Sequence, residues 1–166
     1  MKKFFNEWVV PFILALILFL IVNTFVGTSR ISGSSMYPTF EDGQITILNK
    51  FFYNQGTPEY EDVIVFNSEL VNNQSIFGGT KKLIKRVIGL PGDHIVIKDE
   101  CVYRNDELLE ENYLSDIIIT DGEIDIVLGE NEFFVMGDNR QNSMDSRMLG
   151  PINKDDIIGK VIFTIF

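Results

Sequence analysis

Residues 8–29 form an unbroken run of 22 positions without a formal charge, and the core of that run, residues 8–22, reads WVVPFILALILFLIV. At about 1.5 Å of rise per residue, 22 helical residues span about 33 Å, enough for a bilayer core of about 30 Å. Such a stretch has few stable fates in water. Pro11 stands near its start, where a missing N–H costs least, and Trp8 stands where an interfacial aromatic belongs. The run predicts a single membrane-spanning helix and makes the lipid bilayer the first partner of the chain. A cleavable secretory leader is the rival reading. Against it, the run exceeds the 7–15 apolar residues usual for a leader, and no A-x-A-like site follows. Lys2 and Lys3 place the N-terminus in the cytoplasm by the positive-inside rule. The expected organisation is therefore a cytoplasmic N-terminus and anchor over residues 1–28, followed by an extracytoplasmic domain over residues 29–166.

After Arg30 the pattern changes to short runs of Ile, Val, Phe and Tyr, bounded by Gly, Asp, Asn and Pro. Residues 44–48, 62–66, 83–89, 94–97, 117–120, 132–136 and 158–166 each have strand length and frequent β-branching. No later segment sustains a 3.6-residue period. A mostly β ectodomain follows, with an all-β sandwich or open barrel as the fold class.

The whole chain holds 14 Lys+Arg against 24 Asp+Glu, a net charge of −10. That balance argues against a nucleic-acid partner, which needs clustered cations to neutralise phosphates. Residues 99–130 hold eleven acids against one base, Arg104, so the remainder is neutral, with thirteen of each sign. The block is expected to be a solvated surface that anionic lipid repels. The one cysteine, Cys101, excludes an internal disulfide. No Cys/His cluster has zinc-ligand spacing, so neither metal nor cofactor enters the expected chemistry.

Three clusters carry the candidate chemistry. The first is ISGSSMYPT, residues 31–39, just beyond the anchor. Small residues followed by Met-x-Pro give a tight loop that can present a hydroxyl among exposed backbone N–H groups, as a nucleophilic serine requires. The second is KKLIKRVIGLPGD, residues 81–93. Strand alternation groups Leu83, Lys85 and Val87 on one face and Ile84, Arg86 and Ile88 on the other. A lysine sharing a face with Leu and Val is partly desolvated, which lowers its pKa toward the range of a general base. The third is MGDNRQNSMDSR, residues 136–147, a dense polar loop able to hold itself by ion pairs and caps. Taken singly, the three also fit a Ser/Gly linker, a solvated strand edge and a surface loop. The only histidine, His94, follows Pro-Gly-Asp at an expected turn. A serine nucleophile is thus left with a lysine partner rather than a Ser-His-Asp triad.

In this order, behind an N-terminal anchor, the clusters resemble bacterial type I signal peptidase, the membrane-bound S26 serine protease family. The matching boxes are Ser35-Met36-Tyr37-Pro38-Thr39, Lys85-Arg86-Val87-Ile88-Gly89-Leu90-Pro91-Gly92-Asp93, and Gly137-Asp138-Asn139 with Ser143 and Asp145-Ser146-Arg147. The strand at residues 62–66 resembles a fourth. The resemblance implies an antiparallel two-sheet ectodomain and preprotein signal peptides as substrates, cut after small residues at −1 and −3. It implies Ser35 as nucleophile and Lys85 as base. Ser143 would orient the lysine, and Asp145 with Arg147 would form a supporting ion pair that Arg86 joins. The Ser35 N–H would be one oxyanion donor. Some members add a serine two positions before the nucleophile. Gly33 stands there in this chain, leaving Ser32, Ser34 or a water as the substitute. Met36 and Ile31 are candidate pocket lining. Residues 99–130 fall in the family's variable accessory region. The rivals are a self-cleaving repressor of the SOS type, a non-catalytic tethered accessory, and a peptidase specialised for pilus or surface proteins. The first begins with a DNA-binding module, and the second is disfavoured by the presence of both Ser35 and Lys85.

Overall fold

The computed structural model describes residues 5–50, 56–68, 81–114 and 119–165. A π-helical turn at Phe5–Val9 leads into helix α1, Val10–Phe25, with Pro11 in its first turn. Residues Phe5–Phe25 have a mean hydropathy of 2.5, and none of them is buried. By length and composition this helix can cross a membrane. The helix ends earlier than the uncharged run does. Val26–Arg30 is a strand, β1, paired antiparallel with β2, Ile45–Asn49. The sheet thus begins before the boundary at residue 28 expected from the sequence.

Nine further strands follow among the described residues. They are β3 Val63–Ser68, β4 Lys81–Gly89, β5 His94–Lys98, β6 Cys101–Arg104, β7 Glu107–Leu108, β8 Ile124–Val127, β9 Glu132–Met136, β10 Ile152–Asn153 and β11 Ile157–Ile165. They form a seven-stranded sheet of order β1-β2-β11-β3-β4-β9-β10 and a four-stranded sheet of order β7-β6-β5-β8, with every pairing antiparallel. Six of the expected strands are observed with ends shifted by no more than two residues. The seventh, residues 117–120, lies partly outside the described residues, and Ile119 and Thr120 are in irregular structure. Strands β1, β6, β7, β8 and β10 were not anticipated. A short α-helical turn, α2 at Ser146–Leu149, and two 3-10 turns, Arg140–Asn142 and Lys154–Asp156, interrupt the last third.

The core explains why β9 is a continuous apolar run rather than an alternating one. Phe133 and Val135 enter a cluster with Ile64, Phe66 and Val87, whereas Phe134 and Met136 enter another with Ile88 of β4, Ile95, Ile97 and Val102 of the small sheet, and Leu128 just after β8. A strand covered on both faces has no polar side. A third cluster, Ile31, Met36, Phe40 and Val63, lies under the serine loop. Strand β4 contributes to all three, with Leu83 and Val87 in the first, Ile88 in the second and Ile84 in the third. The central strand that carries Lys85 is therefore fixed from both sides.

Candidate active site

Ser35 sits in the turn that follows β1, with Met36 beneath it as an apolar plug only 1% exposed. Gly33 adopts a φ of 93° and donates its N–H to Asp42 Oδ1 at 2.7 Å. That left-handed backbone strains any side chain, which is a physical reason for glycine at this position. The third box grips the loop from the other side. Asn139 donates its backbone N–H to Ser35 O (3.0 Å) and its amide to Ser34 O (3.1 Å), and the Asn142 amide reaches Ser34 Oγ (2.9 Å).

Lys85 projects from the middle of β4 and is 2% exposed. Its Nζ lies 2.8 Å from Ser35 Oγ and donates to Ile84 O at 2.8 Å. These two residues, 50 apart in sequence, meet because β4 runs antiparallel to β3 in the large sheet and Met36 and Val63 anchor the serine loop to the same layer.

Asp145 is fully buried and pairs with Arg147 through two bonds of 2.9 Å, as expected, and it also accepts the Gly137 N–H at 3.0 Å. Burial opposes its ionisation. The bonds from Arg147 and Gly137 outweigh that penalty and hold its pKa below the usual carboxylate range. The Ser143 hydroxyl lies near enough to add to this effect, yet it makes no hydrogen bond among the described residues and is buried. Arg86 does not join the Asp145 pair. It binds Asp138 through Nε–Oδ1 (2.9 Å) and Nη2–Oδ2 (2.6 Å), and the Thr39 hydroxyl donates to the same carboxylate at 2.5 Å. The bond to Asp138 outweighs the burial of Arg86 and keeps it cationic. Arg86 and Lys85 are strand neighbours and so point to opposite faces. Thr39 and Asp138 were missed as partners, although both lie inside the quoted boxes.

The cleft that opens at Ser35 and Lys85 encloses about 430 Å³. Ile31, Ser32 and Ser34 line it, together with Leu83, Ile84, Asn142 and Met144. Met36 does not, because it is turned into the core cluster. Sequence reasoning missed Asn142 and Met144, whose only signal was their place in the dense polar loop. His94 is elsewhere, at the start of β5 in the small sheet, with Nε2 2.8 Å from Asp125 Oδ1.

Residues 5–166 match the family described as signal peptidase, peptidase S26. The chain belongs to this signal peptidase family. Signal peptidase I P of Bacillus subtilis subsp. natto is 37% identical over 164 residues, covering 92% of this chain and 84% of that protein. Signal peptidase IB of Staphylococcus aureus is 33% identical over 181 aligned positions, covering 98% and 90%. A crystal structure of a signal peptidase I from Enterococcus faecalis superposes with a TM-score of 0.52 at 26% identity, covering 64% of this chain and 97% of that one. The two-sheet antiparallel architecture is thus that of a type I signal peptidase. The chain is a serine endopeptidase of this class, its apolar N-terminal helix is consistent with a membrane-anchored enzyme, and membership of the family supports removal of signal peptides as its activity.

Proposed function

We propose that this signal peptidase cuts secreted preproteins with a Ser35–Lys85 dyad, after small residues at −1 and −3. The observation that carries the reading is the 2.8 Å approach of a lysine amine, 2% exposed, to a serine hydroxyl at the floor of an open cleft. Burial disfavours the ammonium form, so the amine can rest neutral. A neutral amine has two N–H bonds and one lone pair. Ile84 O takes one N–H, and the lone pair faces Ser35 Oγ, 2.8 Å away. Lys85 then accepts the serine proton as Ser35 Oγ attacks the carbonyl at the cleavage site, and it returns that proton to the leaving amine. Water, deprotonated by the same amine, releases the acyl group from Ser35.

The Ser35 N–H serves as one oxyanion donor, with Ser32 and Ser34 the nearest hydroxyls for a second. Asn142 donates to Ser34 Oγ, which leaves that hydroxyl's own proton able to reach an oxyanion. Ser143 limits the motion of the lysine, and the Asp145–Arg147 pair holds the loop that bears Ser143. Ile31, Leu83, Ile84 and Met144 offer the apolar wall against which small side chains pack. The protein is tethered by helix α1, which ends at Phe25, with its N-terminus in the cytoplasm, and the β domain works at the outer surface. Tethering enzyme and substrate in one plane raises their effective concentration.

The dyad is tested by Ser35→Ala and Lys85→Ala, each expected to abolish cleavage while the protein stays folded by circular dichroism. The base must be deprotonated to act, so the wild-type rate should climb as pH rises through neutrality. A rate that is flat from pH 5 to 9 is incompatible with a titrating amine.

A further inference from the structure

The acids of residues 99–130 are mostly solvated, but Glu111 is not. Its side chain is 12% exposed and faces Arg140, whose guanidinium is fully buried. Arg140 Nη1 donates to Glu111 Oε2 at 2.9 Å and to Thr120 Oγ1 at 2.7 Å, and its Nη2 donates to Glu111 Oε1. The same guanidinium turns back through Nε to Gly137 O, 3.2 Å away, inside the loop that meets Ser35. Two more arginines of the site are held from this side. The Tyr113 ring lies 4.1 Å from the guanidinium of Arg86, and the Tyr113 hydroxyl donates to Glu111. Arg147 donates to Asp121 O at 3.4 Å and to Arg140 O at 2.6 Å. Leu109 and Tyr113 also pack on the cluster shared by the two sheets.

We infer that residues 111–114 and 119–121 are a strap that positions the active-site loop, with Glu111 and Tyr113 as positioning residues acting through Arg140 and Arg86. The inference rests on the dyad reading above. Its physical basis is the burial of Arg140, for which Glu111 is the bonded carboxylate among the described residues. A buried guanidinium stripped of its counter-charge is strongly unfavourable, so the loop must move to hydrate it. That loop carries the Asn139 N–H bonded to Ser35 O, as well as Ser143 and Asp145. Its displacement admits water to Lys85, which contacts Ser35 and the Ile84 carbonyl and lines the cleft together with Lys82. A hydrated lysine holds its proton to higher pH. Tyr113 stays neutral, because burial and then the Glu111 carboxylate push its phenol well above the usual range, so the aromatic face toward Arg86 is kept at every working pH.

The test uses the full-length protein in detergent micelles and a preprotein with Ala at −1 and −3. Cleavage rates are measured as kcat and KM across pH 6–10, with thermal unfolding in parallel. Glu111→Gln should lower kcat at least tenfold with KM within twofold. It should also move the acidic limb of the pH profile upward by at least half a unit. Glu111→Asp should recover part of both effects. Tyr113→Leu should move both in the same direction, whereas Tyr113→Phe, which keeps the ring over Arg86, should stay within threefold of wild type. The strap is overturned if Glu111→Gln and Tyr113→Leu fold and keep the wild-type kcat and pH profile. It is equally overturned if they lose thermal stability while the profile stays in place. Should Glu111→Gln fail to fold, Glu111→Asp and Tyr113→Leu decide by the same criteria. Lys85→Ala, run alongside, separates the two claims. Cleavage by that variant sinks the dyad, while an inactive Lys85→Ala with an unmoved Glu111→Gln sinks the strap alone.

Discussion

At Gly137 the chain has no room for a methyl group. A Cβ there would lie 2.2 Å from Ser143 Oγ and 2.5 Å from Ser35 O. The second contact is with backbone, so the serine loop itself must shift. Gly137→Ala is expected to lower the cleavage rate at least tenfold while the sheets stay folded, and wild-type turnover in this variant would show that the loop tolerates the displacement. Asp145 makes a different prediction. Its folded pKa is depressed, so its contribution to stability is present above the ordinary aspartate range and lost as pH falls through the depressed value. Asp145→Asn leaves Arg147 unpaired in a buried site and should cost about 3 kcal/mol. For a chain of this size that is about 6–12 °C in thermal midpoint at neutral pH. The deficit should shrink on acidification, and an equal deficit at pH 7 and pH 2 would contradict the assignment. The catalytic boxes were legible at this scale because each pairs a functional residue with rigid neighbours at fixed spacing. Their partners were not. Nothing local in Arg86 distinguishes Asp138 from Asp145 as its acid, since that choice depends on which face of β4 each acid approaches.

Strand β1 is the clearest case of an element hidden by composition. Residues 26–29 are as uncharged as the helix before them, so the charge pattern alone extends the anchor to residue 28 and beyond. The structure ends α1 at Phe25 because β1 gains a ladder of five residue pairs with β2, from Val26↔Asn49 to Arg30↔Ile45. Truncation separates the two boundaries. A chain starting at Phe25 retains the whole ladder and should unfold cooperatively. One starting at Ile31 lacks the edge strand and should melt several degrees lower, with the serine loop left without its leading strand. Equal thermal midpoints for the two chains would show that β1 contributes nothing to the sheet. The strands that were legible, β2, β3, β4, β5, β9 and β11, are the ones whose β-branched runs are bounded by turn residues. The short strands β6, β7 and β8 include the charged residues Arg104, Glu107 and Asp125, and pairing rather than propensity defines them.

Across the whole molecule, the acidity first read as a general property belongs to one stretch between β5 and β9, and that stretch is more than a solvated surface because Glu111 is drawn inward to Arg140. Charge counting located the block, but it could not reveal a contact between residues 29 positions apart. The proposed topology can be checked directly. Protease added outside intact spheroplasts should digest the β domain and leave a short anchored fragment, whereas a fully protected β domain would reverse the assigned orientation. The central claim is that Ser35, served by Lys85, cuts preproteins at the end of the signal sequence. Its most direct test is mass analysis of the products when the purified full-length protein meets a preprotein with Ala at −1 and −3. The account predicts a single cut after the −1 alanine by wild type and intact substrate with Ser35→Ala; the same cut made by Ser35→Ala at the wild-type rate would contradict it.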